Sequence, residues 1–141
     1  MLIGKGIEDW VYNMYLFDSD VLVDFFNKQK YAINLVTTLS SKNTLFISSP
    51  TITEILTGFD NRQAEFFIPK LYDLVSVIYV TTKIAELAGR MRMRYRINGK
   101  ILPTVDTIIA ASAIINNLQL VTRNIKDYPM KELKIYKIPE V

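Results

Sequence analysis

The sequence predicts a three-layer α/β fold, a parallel sheet covered by helices on both faces. Three observations carry that prediction. Short strand and helix patterns alternate along the chain, the strand segments are apolar nearly throughout, and no repeat, low-complexity tract or linker divides them. The 141 residues have the size of one domain, and half of them are apolar, enough for a core without disulfides or a structural metal. No window approaches eighteen uncharged apolar residues, so no membrane span is expected.

Each element has a local reason. Met14–Phe17 is a short apolar run that ends at Asp18 and predicts the first strand. Val21–Phe26 starts an amphipathic helix closed by Lys28, Gln29 and Lys30, and Tyr31–Ser41 continues as a second helix. Thr44–Ser48, TLFIS, is β-branched and aromatic enough for a buried strand. In SPTITEILTGF, Ser49 reads as a helix cap, Pro50 as the first helical position and Gly58 as the helix end. Gln63–Leu74 is helical by pattern, with Pro69 predicting a kink or break, and Ser76–Val80 is the third strand. A long helix follows from Thr82 to Ile97, closed at NGK, where Gly99 can take the left-handed conformation. Pro103 and Thr104 open another helix, TVDTIIAASAIIN, whose Ile108, Ile109, Ala110, Ala113 and Ile114 suit the interior. LQLVT and LKIYKI supply two more strands.

The first thirteen residues lack a basic start followed by an apolar stretch, so they do not read as a signal peptide. They read as an N-terminal extension, 1–13, or as a start placed ahead of Met14, which leaves 14–141 as the domain.

Composition narrows the chemistry. Without cysteine there is no thiolate nucleophile or disulfide framework, which is consistent with a reducing compartment, the cytoplasm by default. Without histidine there is no imidazole acid–base catalysis and no histidine metal site. Carboxylates, hydroxyls, amines and guanidinium groups remain.

Five acids are expected at one end of the sheet, because ligands of open α/β sheets collect at the carboxyl ends of the strands. Asp18 and Asp20 follow the first strand. Glu54 lies early in the helix after the second strand, Asp106 in the first turn of the helix before the fourth, and Asp127 after the fourth. Singly, Asp106 reads as a helix-dipole charge worth about 0.3–1 kcal/mol, and Glu54 as an ordinary surface residue. Asp18 ends a buried strand and needs a partner to offset its desolvation. Converging carboxylates repel, and a divalent cation relieves the repulsion; an oxygen-only donor set suits Mg2+ or Mn2+ better than zinc.

From Lys83 to Lys100 six cations face one acid, Glu86, although the net formal charge of the chain is only +3. The cluster reads either as a solvated helix face or as a polyanion contact. Alternate residues on a helix point apart, so Arg92 and Arg96 share one face, the candidate contact for RNA or a partner protein, while Arg90 and Arg94 form a second pair.

At these residues the chain resembles the PIN-domain nucleases, and especially the VapC-type toxins of prokaryotic toxin–antitoxin pairs. YLFDSDVLVDFF resembles the family's first strand with its first acid, here Asp18, and ISSPTITEILTGF carries the Glu, here Glu54. PTVDTIIAASAIINNLQLVTRNIKDYP supplies Asp106 and the last-acid loop. The resemblance runs from about Met14 to the end. It implies a PIN-like three-layer fold with a central five-stranded parallel sheet, a homodimer, and a cognate antitoxin that blocks the site. It also implies endonucleolytic hydrolysis of RNA, leaving a 5′-phosphate and a 3′-hydroxyl, with Mg2+ or Mn2+ held by Asp18, Glu54, Asp106 and Asp127.

Two departures from the family pattern stand out. Asp20 replaces a common Asn, its extra charge serving either the metal or nearby backbone amides. The fourth acid falls at Asp127, with Asn124 as a polar helper, or at the position Asn124 itself occupies. Thr122 is expected to orient the site, and Asp24 reads either as a surface residue or as a carboxylate behind the metal. Two other readings remain: a non-catalytic PIN-like module that binds nucleic acid or partners, and a receiver-like phosphate acceptor, which the order of the acids fits poorly.

Overall fold

The computed structural model describes residues 14–140, so the expectation for 1–13 lies outside the described residues. In chain order the elements are β1 (Tyr15–Phe17), α1 (Ser19–Phe26), α2 (Lys30–Ser40), β2 (Leu45–Ser48), α3 (Ser49–Thr57) and α4 (Asn61–Leu74). They continue with β3 (Val75–Ile78), α5 (Thr82–Ile97), α6 (Thr104–Ile115), β4 (Gln119–Val121), a single 3-10 turn (Ile125–Asp127) and β5 (Lys134–Ile135). The five strands form one sheet in the order β3-β2-β1-β4-β5, and every neighbouring pair is parallel. The expected three-layer α/β/α architecture is therefore present.

Strand alternation divides the core in two. Tyr15, Phe17, Leu45, Ile47 and Val121 face a layer built with Val21, Leu22, Leu35 and Leu71 from α1, α2 and α4. Leu16 and Leu120 face the opposite layer, with Ile84 and Met91 of α5 and Ile109, Ala110 and Ala113 of α6. The small residues of α6 let it lie close to the sheet, and Ile108 and Ile114 are half-buried at its margins. Because β1 is covered on both faces, all three of its side chains are buried, which explains its unbroken apolar run. Among the described residues no helix is long and apolar enough to cross a membrane.

The boundaries differ from expectation where tertiary partners intervene. The cap of α3 is Ser48, not Ser49, and its hydroxyl makes no capping bond because it pairs with the Ser112 hydroxyl on α6 at 2.9 Å. Pro69 does not break α4, which runs through it. A capping box between Asp60 and Gln63 starts that helix, fully buried Leu71 anchors it, and exposed Pro69 removes only one internal bond. The third strand starts at Val75 and ends at Ile78, because Tyr79 is already 75% exposed. Gly99 does adopt positive φ, +81°, beyond the end of α5.

Strand order reverses at β1: the chain moves outward through β2 and β3, then returns to the other side of β1 for β4 and β5. The crevice at the carboxyl ends of β1 and β4 is the switch point, where open α/β sheets place their ligands.

Candidate active site

Asp18 and Thr122 follow β1 and β4 directly, so the parallel register brings them side by side across 104 residues of sequence. The Asp18 N–H donates to the Val121 carbonyl at 3.0 Å, extending the ladder by one bond. Asp18 is 5% exposed, and both its carboxylate oxygens are engaged. Oδ1 caps α1 by accepting the Ser19 N–H at 2.9 Å, while Oδ2 accepts the Thr122 hydroxyl at 2.9 Å and the Tyr128 hydroxyl at 2.8 Å. The Thr122 hydroxyl in turn accepts the Asn124 N–H at 3.0 Å, so one threonine links β1 to the loop after β4.

Asp20 sits one step outward. Its oxygens accept the backbone N–H groups of Val21 at 2.8 Å and Arg123 at 2.9 Å. Of the two roles open to it, this geometry matches the one facing backbone amides. Burial raises its pKa, the Asp18 charge raises it further, and the two backbone bonds work in the opposite direction.

Glu54 arrives from α3 and Asp106 from the first turn of α6. Burial raises the pKa of Glu54, and the charges of Asp18 and Asp106 add to the rise, against a hydrogen bond from the Ser19 hydroxyl. Its Oε1 is buried and has no hydrogen-bond partner. Asp106 is pushed up to about 6, first by burial and then by the charges of Asp18 and Asp127. The Asn124 side-chain amide donates to Asp127 Oδ2, and Asp127 closes the group through its charge on Asp106.

The expected acids therefore act on one another at the carboxyl ends of the strands. Among the described residues, no three of them close into a ready-made cation cage. The oxygens of Asp18, Asp20 and Asp127 are turned to protein donors instead. A cation would relieve both the unpartnered Glu54 oxygen and the charges that Asp18 and Asp106 impose on it, and the donor set, all oxygen, fits a hard divalent one.

Tyr128 escaped the reading of the sequence. It is buried, and its hydroxyl touches both Asp18 and, at 3.5 Å, Oδ1 of Asp106. Burial pushes its pKa up and the Asp18 charge adds to this, so the phenol stays protonated as a donor. A buried tyrosine next to the last acid was the available signal, since its hydroxyl must find a partner.

The basic helix divides as its geometry requires. Arg90 pairs with Glu86 and Arg94 with Glu132, while Arg92 spends its Nε on the Leu102 carbonyl at 3.0 Å. Arg92 and Arg96 line a separate cleft with Met93 and Ile101, at the far end of α5. Asp24 accepts the Tyr31 hydroxyl, stands 3.9 Å from Arg123 and reaches the acid group only through its charge on Asp20.

The PIN domain profile matches residues 15–131. Ribonuclease VapC19 of Mycobacterium tuberculosis is 30% identical over 119 residues, covering 83% of this chain and 94% of the relative. Ribonuclease VapC1 of Methanocaldococcus jannaschii is 28% identical over 124 residues, covering 86% and 85% respectively. A chain of VapBC2 from Rickettsia felis, solved bound to a DNA fragment from the promoter, superposes with a TM-score of 0.77 at 25% identity, covering 87% of this chain and 97% of that one. A chain of a toxin–antitoxin complex from Klebsiella pneumoniae gives 0.71 at 26% identity, covering 90% and 99%.

Proposed function

This chain belongs to the PIN-domain family, among the VapC-type toxins, and we propose that it is a metal-dependent endoribonuclease, the toxin of a toxin–antitoxin pair. The carrying observation is the buried Oε1 of Glu54, which has no partner although the charges of Asp18 and Asp106 bear on the same carboxylate. An oxygen in that position is costly unless a cation completes it. Asp18, Glu54, Asp106 and Asp127 would hold Mg2+ or Mn2+. The chemistry such a cation supplies when bound is activation of water and neutralisation of charge on the phosphodiester undergoing hydrolysis.

The chain's own groups prepare that site. Ser19 N–H, Thr122 and Tyr128 fix the Asp18 carboxylate in one orientation, and Asn124 holds Asp127. RNA as the substrate is supported by the ribonuclease names of the relatives, and an antitoxin partner by the toxin–antitoxin complexes among the structural neighbours. Exposed Met93, Ile97 and Ile101 near the end of α5 offer apolar surface for a second copy in a homodimer.

RNA cleavage by the purified protein tests the reading. Activity is expected with Mg2+ or Mn2+, absent in excess chelator and absent in Asp18→Asn. Equal cleavage in chelator would overturn the metal mechanism. An inert protein that still binds RNA in a salt-dependent way would establish instead a non-catalytic binding module.

A further inference from the structure

A cleft of about 530 Å3 opens beside the acidic group and shares a wall with it: Thr122, whose hydroxyl donates to Asp18, also lines this cleft. The next residue, Arg123, projects into it. Three contacts hold Arg123. Its N–H is bound to Asp20 Oδ2 at 2.9 Å, its guanidinium lies 4.6 Å from the centre of the Tyr31 ring, and Asp24 stands 3.9 Å from one of its nitrogens. Asp24 also accepts the Tyr31 hydroxyl, so the ring beneath the guanidinium is itself tethered. The arginine side chain nevertheless remains 60% exposed. Lys137 lines the same cleft, and Glu140 is the acid among its lining residues.

We propose that this cleft is a subsite for the RNA backbone, with Arg123 holding the phosphate next to the one that is cut and Lys137 supporting it. The inference rests on the ribonuclease reading above and adds the place where the strand is gripped. A polyanion approaching Asp18, Asp20, Glu54, Asp106 and Asp127 meets repulsion, and it needs a cation close to those acids to be drawn in. Arg123 is that cation by covalent placement, one residue from Thr122 and bonded through its own N–H to Asp20. Stacking on Tyr31 leaves an edge of the guanidinium free while restricting its rotamers, so little side-chain entropy is lost when a phosphate docks. The arginines of α5 are less well placed to grip the strand beside these acids, because Arg90 and Arg94 are paired with acids, Arg92 is tied to Leu102, and Arg96 lines the separate cleft at the far end of the helix.

The test uses the full chain and a labelled single-stranded oligoribonucleotide. Binding is measured in chelator across a salt series, and cleavage kinetics are measured with Mn2+. Variants are Arg123→Ala, Arg123→Gln and, as a control, Lys42→Ala, an exposed cation ahead of β2 at the opposite end of the strands. For both Arg123 variants the slope of log K against log salt should fall by about 0.7, the single-strand value for one phosphate. KM should rise severalfold with kcat unchanged, the signature of lost uniform binding. Lys42→Ala should alter neither quantity. If the parent protein binds and cleaves while the Arg123 variants match it in slope and KM, the subsite is wrong and the ribonuclease reading stands. If those variants lose only inhibition by a cognate antitoxin, the cleft is a protein-docking site and the RNA subsite is likewise overturned. If the parent protein neither binds nor cleaves RNA, the ribonuclease reading fails and the subsite with it.

Discussion

The Tyr128 hydroxyl donates to Asp18 Oδ2 at 2.8 Å, across 110 residues of sequence, and stands 3.5 Å from Asp106 Oδ1. One phenol thus connects the acid after β1 to the acid on α6, and it does so from the loop that also carries Asp127. Replacing Tyr128 by Phe removes this donor and almost nothing else. Without metal, the variant should lose about 1.5–3 kcal/mol of stability in denaturant unfolding, the range for a hydrogen bond to a charged group. Mn2+ should recover part of that loss, because Asp18 is left with uncompensated charge. An unchanged unfolding midpoint would show that the bond contributes nothing.

Glu54→Gln tests the orphaned oxygen. The amide removes a carboxylate that burial and the charges of Asp18 and Asp106 both disfavour, so the metal-free variant should be no less stable than the parent. Cleavage should nonetheless fall by at least ~100-fold, the scale of losing a major electrostatic contributor to a transition state. Retained activity would remove Glu54 from the site.

Asp106 gives the protein a pH dependence of definite sign. In the fold it keeps its proton up to about pH 6, whereas an unfolded aspartic acid releases it near pH 4. Between those values the folded state binds more protons, so the contribution of this group to stability falls as pH rises and levels off above about 6. Relative to the parent, Asp106→Asn should therefore gain stability between pH 4 and pH 7 in the absence of metal. Stabilisation of the parent by Mn2+ should grow over the same interval. A stability difference that stays flat with pH would contradict the raised value.

The Ser48–Ser112 hydroxyl pair joins the end of β2 to α6 and so sets α3, with Glu54, against the helix that carries Asp106. Each single Ala variant leaves one buried hydroxyl with less than its full set of partners and should cost about 1–3 kcal/mol. The double variant should cost less than the two singles together, and the coupling is measurable in a double-mutant cycle. Strict additivity would mean that the two hydroxyls do not interact.

Much of the site was legible in the sequence. The absence of histidine and cysteine leaves carboxylates as the candidate metal ligands, and Asp18, Glu54 and Asp106 each stand at a strand end or in the opening turns of a helix that the local pattern marks. Such patterns are readable because strand alternation, caps and helix periodicity depend on residues a few positions apart.

What only the tertiary structure decided is which side chains meet. The order β3-β2-β1-β4-β5 puts Thr122 beside Asp18, swings Tyr128 onto the same carboxylate, diverts Ser48 from its cap to Ser112 and stacks Arg123 on Tyr31. None of these pairings has a periodic signature, since each joins residues whose separation in the chain is set by the folded path between them. By itself the sequence determined which side chains are available to the candidate site and the elements that carry them. The fold decided the geometry, because hydrogen bonds and charges act through space and strand order determines which residues become neighbours.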